Sequence, residues 1–242
     1  MGKLQEFFKR NPFIVILVVL MIGRTFQRGF SGSIADYLLD TLYILPGILV
    51  GLTVHEFAHA FAAYKLGDET PKLQGRVTLN PISHIDPVGL FALIFFHFGW
   101  GKPVQVNPFA FKKNARLCNI VVDLAGVTTN FLLGVLFGGI VMFFASRGYT
   151  LDSSWMMILY YAMYINFVLM IFNLLPIPPL DGFGVVTEIF DLRKKSWYLN
   201  VYTYGNIVLL VIILTGSVSY IFGPVLNAMM KFVSWLWGNL FF

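Results

Sequence analysis

Long apolar runs broken by short basic clusters set the pattern of this chain. Apolar stretches fall at 13–23, 37–64, 118–146, 155–175, 201–222 and 225–242. Lysines and arginines gather between them, as at Lys9-Arg10, Lys65, Lys72, Arg76, Lys112-Lys113, Arg116 and Arg193-Lys194-Lys195. A helix rises about 1.5 Å per residue, so roughly 20 apolar residues cross the hydrocarbon layer. The runs at 37–64, 118–146, 155–175 and 201–222 are long enough. The run at 13–23 is short: it reads as an uncleaved anchor extended by snorkelling arginines, or as an interfacial helix, because Arg24 and Arg28 follow it and no A-x-A cleavage pattern does. The last run, with Trp235, Trp237 and Lys231, reads as a further span or an interfacial helix with an aromatic anchor.

Residues 76–108 break the pattern. Residues 76–81 and 102–108 are short alternating pieces, each ending in Asn-Pro, and they predict strands. The apolar stretch 88–98 between them is too short to cross, and both flanks are basic, so it is expected to dip in and return on one side. Non-helical backbone at membrane depth is tolerated only when buried in protein or lining a wet cavity. The predicted fold is therefore an all-α polytopic membrane protein with about five to six transmembrane helices and a small re-entrant β-hairpin near residues 76–108. It is expected to form one integral membrane domain over 1–242, with its core at 42–188.

Composition supports this. The chain is 57% hydrophobic and 12% charged, with a mean hydropathy of +0.75, far from an ordinary soluble domain. The formal charge of +5 sits in clusters between spans. That is the positive-inside pattern of a protein facing a lipid bilayer, not a nucleic-acid groove, and no nucleic-acid partner is expected. If the N-terminus is cytoplasmic, the inside and outside assignments agree from end to end. The single cysteine, Cys118, excludes an internal disulfide and a cysteine-rich metal site.

Into this apolar frame the chain sets His55-Glu56-Phe57-Ala58-His59. Positions i and i+4 share a helix face, so both imidazoles can reach one zinc ion while Glu56 stands beside the water that the metal activates. Ionisable groups inside a span are costly and mark function by default. A catalytic zinc usually takes three protein ligands. The third is open among His84, His97 and the carboxylates Asp123, Asp181 and Asp86. Asp181 has the strongest surroundings, because Pro176, Pro178 and Pro179 end the 155–175 run and are expected to fix an extended path that turns it inward.

His55-Glu56-x-x-His59 taken with Asn173-x-x-Pro176-x-Pro178-x-Leu180-Asp181-Gly182 resembles the site-2 protease family of intramembrane zinc metalloproteases. Gly75-Arg76-Val77-Thr78-Leu79-Asn80-Pro81, His84-x-Asp86-Pro87 and Gly99-Trp100-Gly101-Lys102-Pro103 resemble its short prokaryotic branch, which lacks PDZ and CBS domains. The resemblance covers roughly 42–188. It implies one Zn2+ per chain held by His55, His59 and Asp181, Glu56 as general base, and substrate or oxyanion contacts from Asn130, Asn173 and His84. It further implies single-span transmembrane substrates, cut in regulated intramembrane proteolysis, and an active site towards the cytoplasmic side of a prokaryotic cell membrane; homo-oligomerisation is left open. One departure stands out: the family's Ala-Gly-Pro-x-x-Asn is here Ala125-Gly126-Val127-Thr128-Thr129-Asn130.

Plainer roles compete at several positions. Asp181 is also a natural helix cap, Asn130 a natural interhelical hydrogen-bonding group, His84 a turn residue and His97 a packing residue. Asp123 has no assigned role. At the level of function, a non-catalytic scaffold of the same fold and an ion transporter are the alternatives. The retained Glu56 argues against the first, since a structural zinc site needs no general base. Four histidines are too few for a membrane di-iron hydroxylase.

Overall fold

The computed structural model describes residues 34–96, 99–216 and 218–241, and the run at 13–23 and His97 lie outside them. The described residues are helical throughout: α1 (Ile34–Leu66), α2 (Pro87–Phe96), α3 (Ala115–Ala145), α4 (Ser154–Asn173), α5 (Asp181–Phe190), α6 (Tyr198–Thr215) and α7 (Val218–Phe241), joined by turns and 3-10 segments. Of these, α1, α3 and α4 are long and apolar enough to cross a membrane.

These three pack on one another, with α5 against α3 and α7 against both α3 and α4. Lipid supplies no hydrophobic drive between spans, so close backbone approach carries the packing. Gly47 of α1 meets α4 so closely that a Cβ there would lie 2.8 Å from Ala162 Cα. The innermost side chains include Val127, Phe167, Met170, Leu226 and Val233. Trp237 of α7 docks by donating its Nε1 hydrogen to Val135 O at 3.0 Å. Leu38, Leu42, Leu117, Val121, Leu132 and Leu136 stay exposed, as lipid-facing positions should.

The strands expected at 76–81 and 102–108 are not formed, and the described residues contain no strand. Backbone pairing occurs just beside them instead, in a single antiparallel bridge between Ile85 and Gly101 and a bond from Lys102 N–H to His84 O at 2.8 Å. The two Asn-Pro pairs explain the difference. Each opens a 3-10 turn, Pro81–Ser83 and Pro108–Ala110, with the asparagine oxygen accepting from Ile82 N–H at 3.1 Å or Phe109 N–H at 3.2 Å. Pro103 has no N–H for a ladder. The buried Arg76 guanidinium supplies what the ladder lacks, donating to Ser83 O and Lys102 O.

Val127 in place of the family's proline leaves α3 unbroken from Ala115 to Ala145, because every residue there keeps an N–H to give its helix.

Candidate metal centre

His55 and His59 lie on the α1 face turned to α3, buried at 5% and 8% exposure. The α3 backbone leaves room for them only because residue 126 is glycine: a Cβ there would fall 2.5 Å from His59 Nε2 and 2.6 Å from His55 Cε1.

The outer nitrogens fix the tautomers. His55 Nδ1 meets Asn130 Oδ1 at 2.6 Å, and His59 Nδ1 meets Val122 O at 2.7 Å. Both partners are acceptors, so both Nδ1 atoms carry hydrogen and, in the neutral rings, both Nε2 atoms carry lone pairs. Those Nε2 atoms face each other at 2.9 Å.

Asp181 closes the set. Its Oδ2 lies 3.2 Å from His55 Nε2 and 3.4 Å from His59 Nε2, yet this buried oxygen has no hydrogen-bond partner. Two lone pairs and a carboxylate aimed at one point repel unless a cation joins them. A proton on one imidazole relieves one pair at a time, whereas a divalent ion relieves all three. Ligands about 2.0–2.1 Å from a tetrahedral zinc stand roughly 3.3 Å apart, close to the spacings found here. The residues fit a zinc ion.

Asp181 reaches this point by a route the prolines set. The segment after α4 turns repeatedly, with Ile177 N–H bonded to Leu175 O at 2.8 Å and Leu180 N–H to Ile177 O at 3.0 Å. It is not the extended path expected. Asp181 is the first residue of α5, whose cap is Leu180, so its carboxylate is not spent on capping. Gly182 then presses on the end of α4, where a Cβ would overlap Leu174 O.

Glu56 opens on the same cavity of about 490 Å³, which runs between α1, α2, α4 and the 99–106 segment and is lined mainly by apolar side chains. Its Oε2 accepts from Val104 N–H at 3.2 Å and lies 3.7 Å from Arg76 Nη2. The loop carbonyls of Ser83 and Lys102 take hydrogen bonds from the two Nη groups of the buried Arg76, while its Nε has no partner.

The other expected site residues separate. Asn173 lines the cavity, its Nδ2 donating to Leu169 O at 3.0 Å. Asn130 is fully buried behind His55, away from the cavity, with its Nδ2 donating to Gly51 O at 3.1 Å and Asn166 Oδ1 at 2.9 Å. Both ends of that amide are engaged, so its oxygen faces an imidazole rather than a reacting carbonyl. His84 is buried in the 76–102 loops with Nε2 2.8 Å from Thr78 O, outside the cavity lining. Asp123, without an assigned role, lines the cavity beside Gly184.

Sequence reasoning missed Arg76, Gly126 and the Val104 amide. Arg76 was counted among the basic loop residues. Its place inside the Gly75–Pro81 motif was the signal available. A backbone N–H leaves no trace in residue identity.

An apolar helical bundle in which two histidines and an aspartate converge beside a half-buried glutamate defines a membrane-embedded metallopeptidase. The sequence profile of peptidase family M50 matches residues 137–216, a stretch that includes Asp181. A Bacillus subtilis protein carrying the name "Putative zinc metalloprotease YwhC" is 38% identical over 190 residues, covering 77% of this chain and 86% of that protein. A Mycolicibacterium smegmatis protein named "Putative zinc metalloprotease Rip2" is 28% identical over 227 residues, covering 89% of this chain and 85% of its own length. The chain belongs to peptidase family M50. No solved structure matches it.

Proposed function

We propose that this chain is an intramembrane zinc metalloprotease that cuts single-span membrane proteins within or beside their transmembrane helices, in regulated intramembrane proteolysis. The observation that carries the proposal is the meeting of His55 Nε2, His59 Nε2 and Asp181 Oδ2 in one cavity with Glu56. His55, His59 and Asp181 would hold one zinc ion per chain, which would supply Lewis acidity and bring the pKa of water toward neutrality. Glu56 takes a proton from that water as its oxygen attacks the scissile carbonyl carbon, then hands the proton to the departing amine nitrogen as the C–N bond breaks. Asn173, at the cavity wall, contacts the substrate.

A transmembrane helix shields its own carbonyls, so substrate must unwind before it is cut. The 76–108 stretch is the re-entrant element of this reading. Its 102–107 segment, extended and facing the cavity, offers main-chain partners to the unwound strand. The protein acts as one membrane domain in a prokaryotic cell membrane, with its active site towards the cytoplasm. The fuller count of five to six crossings takes in α6 and α7.

The test is an incubation of purified protein with single-span substrates, followed by mass spectrometry of the products. A cut inside the span that disappears with Glu56→Gln, while zinc content is kept, supports the proposal. Products unchanged by Glu56→Gln or by a chelator would overturn it.

A further inference from the structure

A second amide is buried in the spans without touching the cavity. Asn166, within α4, is 0% exposed. An amide in an apolar interior is costly unless its hydrogen-bonding groups are used. Asn166 Nδ2 donates to Ala162 O at 2.8 Å, one turn back along α4, and Asn166 Oδ1 accepts from Asn130 Nδ2 at 2.9 Å. A backbone carbonyl can only accept, so the NH2 of Asn166 must face Ala162 and its oxygen must face Asn130. Asn130 then turns its own NH2 towards Asn166 Oδ1 and Gly51 O, and its oxygen towards His55 Nδ1. Direction therefore runs unbroken from a main-chain carbonyl in α4, through α3, to an imidazole in α1. The α1 backbone fits around this chain of bonds only through Gly51, where a Cβ would lie 2.9 Å from Asn166 Oδ1.

We infer that Asn166 is a positioning residue of the metal centre: acting through Asn130, it holds His55 as the Nδ1–H tautomer with its Nε2 lone pair turned towards His59 and Asp181. The inference rests on the metal-site reading above. Without the Asn166 oxygen, one N–H of Asn130 is left buried and unpaired. Gly51 O still takes the other N–H and bars a full flip, so the amide swings towards a new acceptor, loosens its bond to His55 Nδ1 and frees the imidazole to leave the orientation the metal needs.

The experiment measures zinc affinity by chelator competition in detergent for the native chain, Asn166→Leu and Asn166→Asp, together with ¹⁵N histidine NMR of the metal-free native protein. Asn166→Leu should weaken zinc binding by roughly tenfold, the lower end of the effect of losing a ligand's own hydrogen-bond partner, because Asn166 acts one bond further out. Asn166→Asp, whose neutral carboxyl group donates to Ala162 O and accepts from Asn130, should stay within about threefold of native. Native affinity in Asn166→Leu, or equal losses in both variants, would overturn the inference. If Asn166→Leu does not fold, Asn166→Ala takes its place with the same expected loss, and native affinity in it would overturn the inference; hydrogen on Nε2 of His55 in the native protein would refute it outright. Native protein that takes up no zinc counts against the metal-site reading instead, and the tautomer is still read on metal-free protein.

Discussion

At the residue scale, the centre depends on one missing methyl group. Gly126 backs both imidazoles, and interiors packed to crystal-like density do not yield to an added carbon without moving something. Gly126→Ala is expected to weaken zinc binding by roughly tenfold or more, since the only atoms able to move are the ligands themselves. Chelator competition measures this. The sequence displayed Gly126 and Asn130 as part of one motif, and Asn130 was assigned to the oxyanion. Its burial and the short bond to His55 turn it to the opposite side of the imidazole. The direction of a side chain depends on the helix packed against it, which motif spacing does not contain.

At the element scale, α5 and the 99–108 segment bring the remaining chemistry to α1. Gly182 lets α5 begin against the end of α4, and Gly182→Ala should push that helix away and carry Asp181 with it. The expected outcome is a stability loss of about 1–3 kcal/mol, typical of overpacking, with a fall in bound zinc. A thermal unfolding scan alongside metal analysis reads both. Val104 presents its N–H to Glu56, so Val104→Pro should leave zinc content intact and slow cleavage by roughly tenfold, the scale of a lost hydrogen bond to a charged group. Cleavage assays at matched metal loading would show it. The alternation of 76–81 and 102–108 announced strands, but Asn80, Asn107 and their prolines favour local turns over a ladder. Arg76 holds the segments together in its place.

At the scale of the whole molecule, the metal site draws its residues from elements far apart in the chain. His55 and His59 come from α1, Asp181 from α5, and Gly126 and Val122 behind the imidazoles from α3. A ligand that binds only the folded state stabilises it in proportion to its saturation, by about 2.7 kcal/mol at a hundred times its dissociation constant. Zinc should therefore raise the melting temperature of the purified protein, and a chelator should reverse the gain. In Asp181→Asn protein the same addition should leave the melting temperature nearly unchanged. The exposed leucines of α1 and α3 belong to this scale too, since they face the lipid in which the bundle is stable.

The amino-acid sequence by itself located three helices long enough to span a bilayer, in the runs at 37–64, 118–146 and 155–175, because hydropathy and length are properties of contiguous residues; the run at 201–222, expected as a span, is divided between α6 and α7. It also determined that His55 and His59 share a helix face, a consequence of a 3.6-residue turn. It narrowed the third ligand to a few carboxylates and favoured Asp181. Only the tertiary structure decided that Asp181 Oδ2 meets both Nε2 atoms, that Asn130 Oδ1 meets His55 Nδ1, and that Arg76 stands beside Glu56. Those facts depend on contacts between helices far apart in the chain, where distance and direction are set by packing and not by the order of residues.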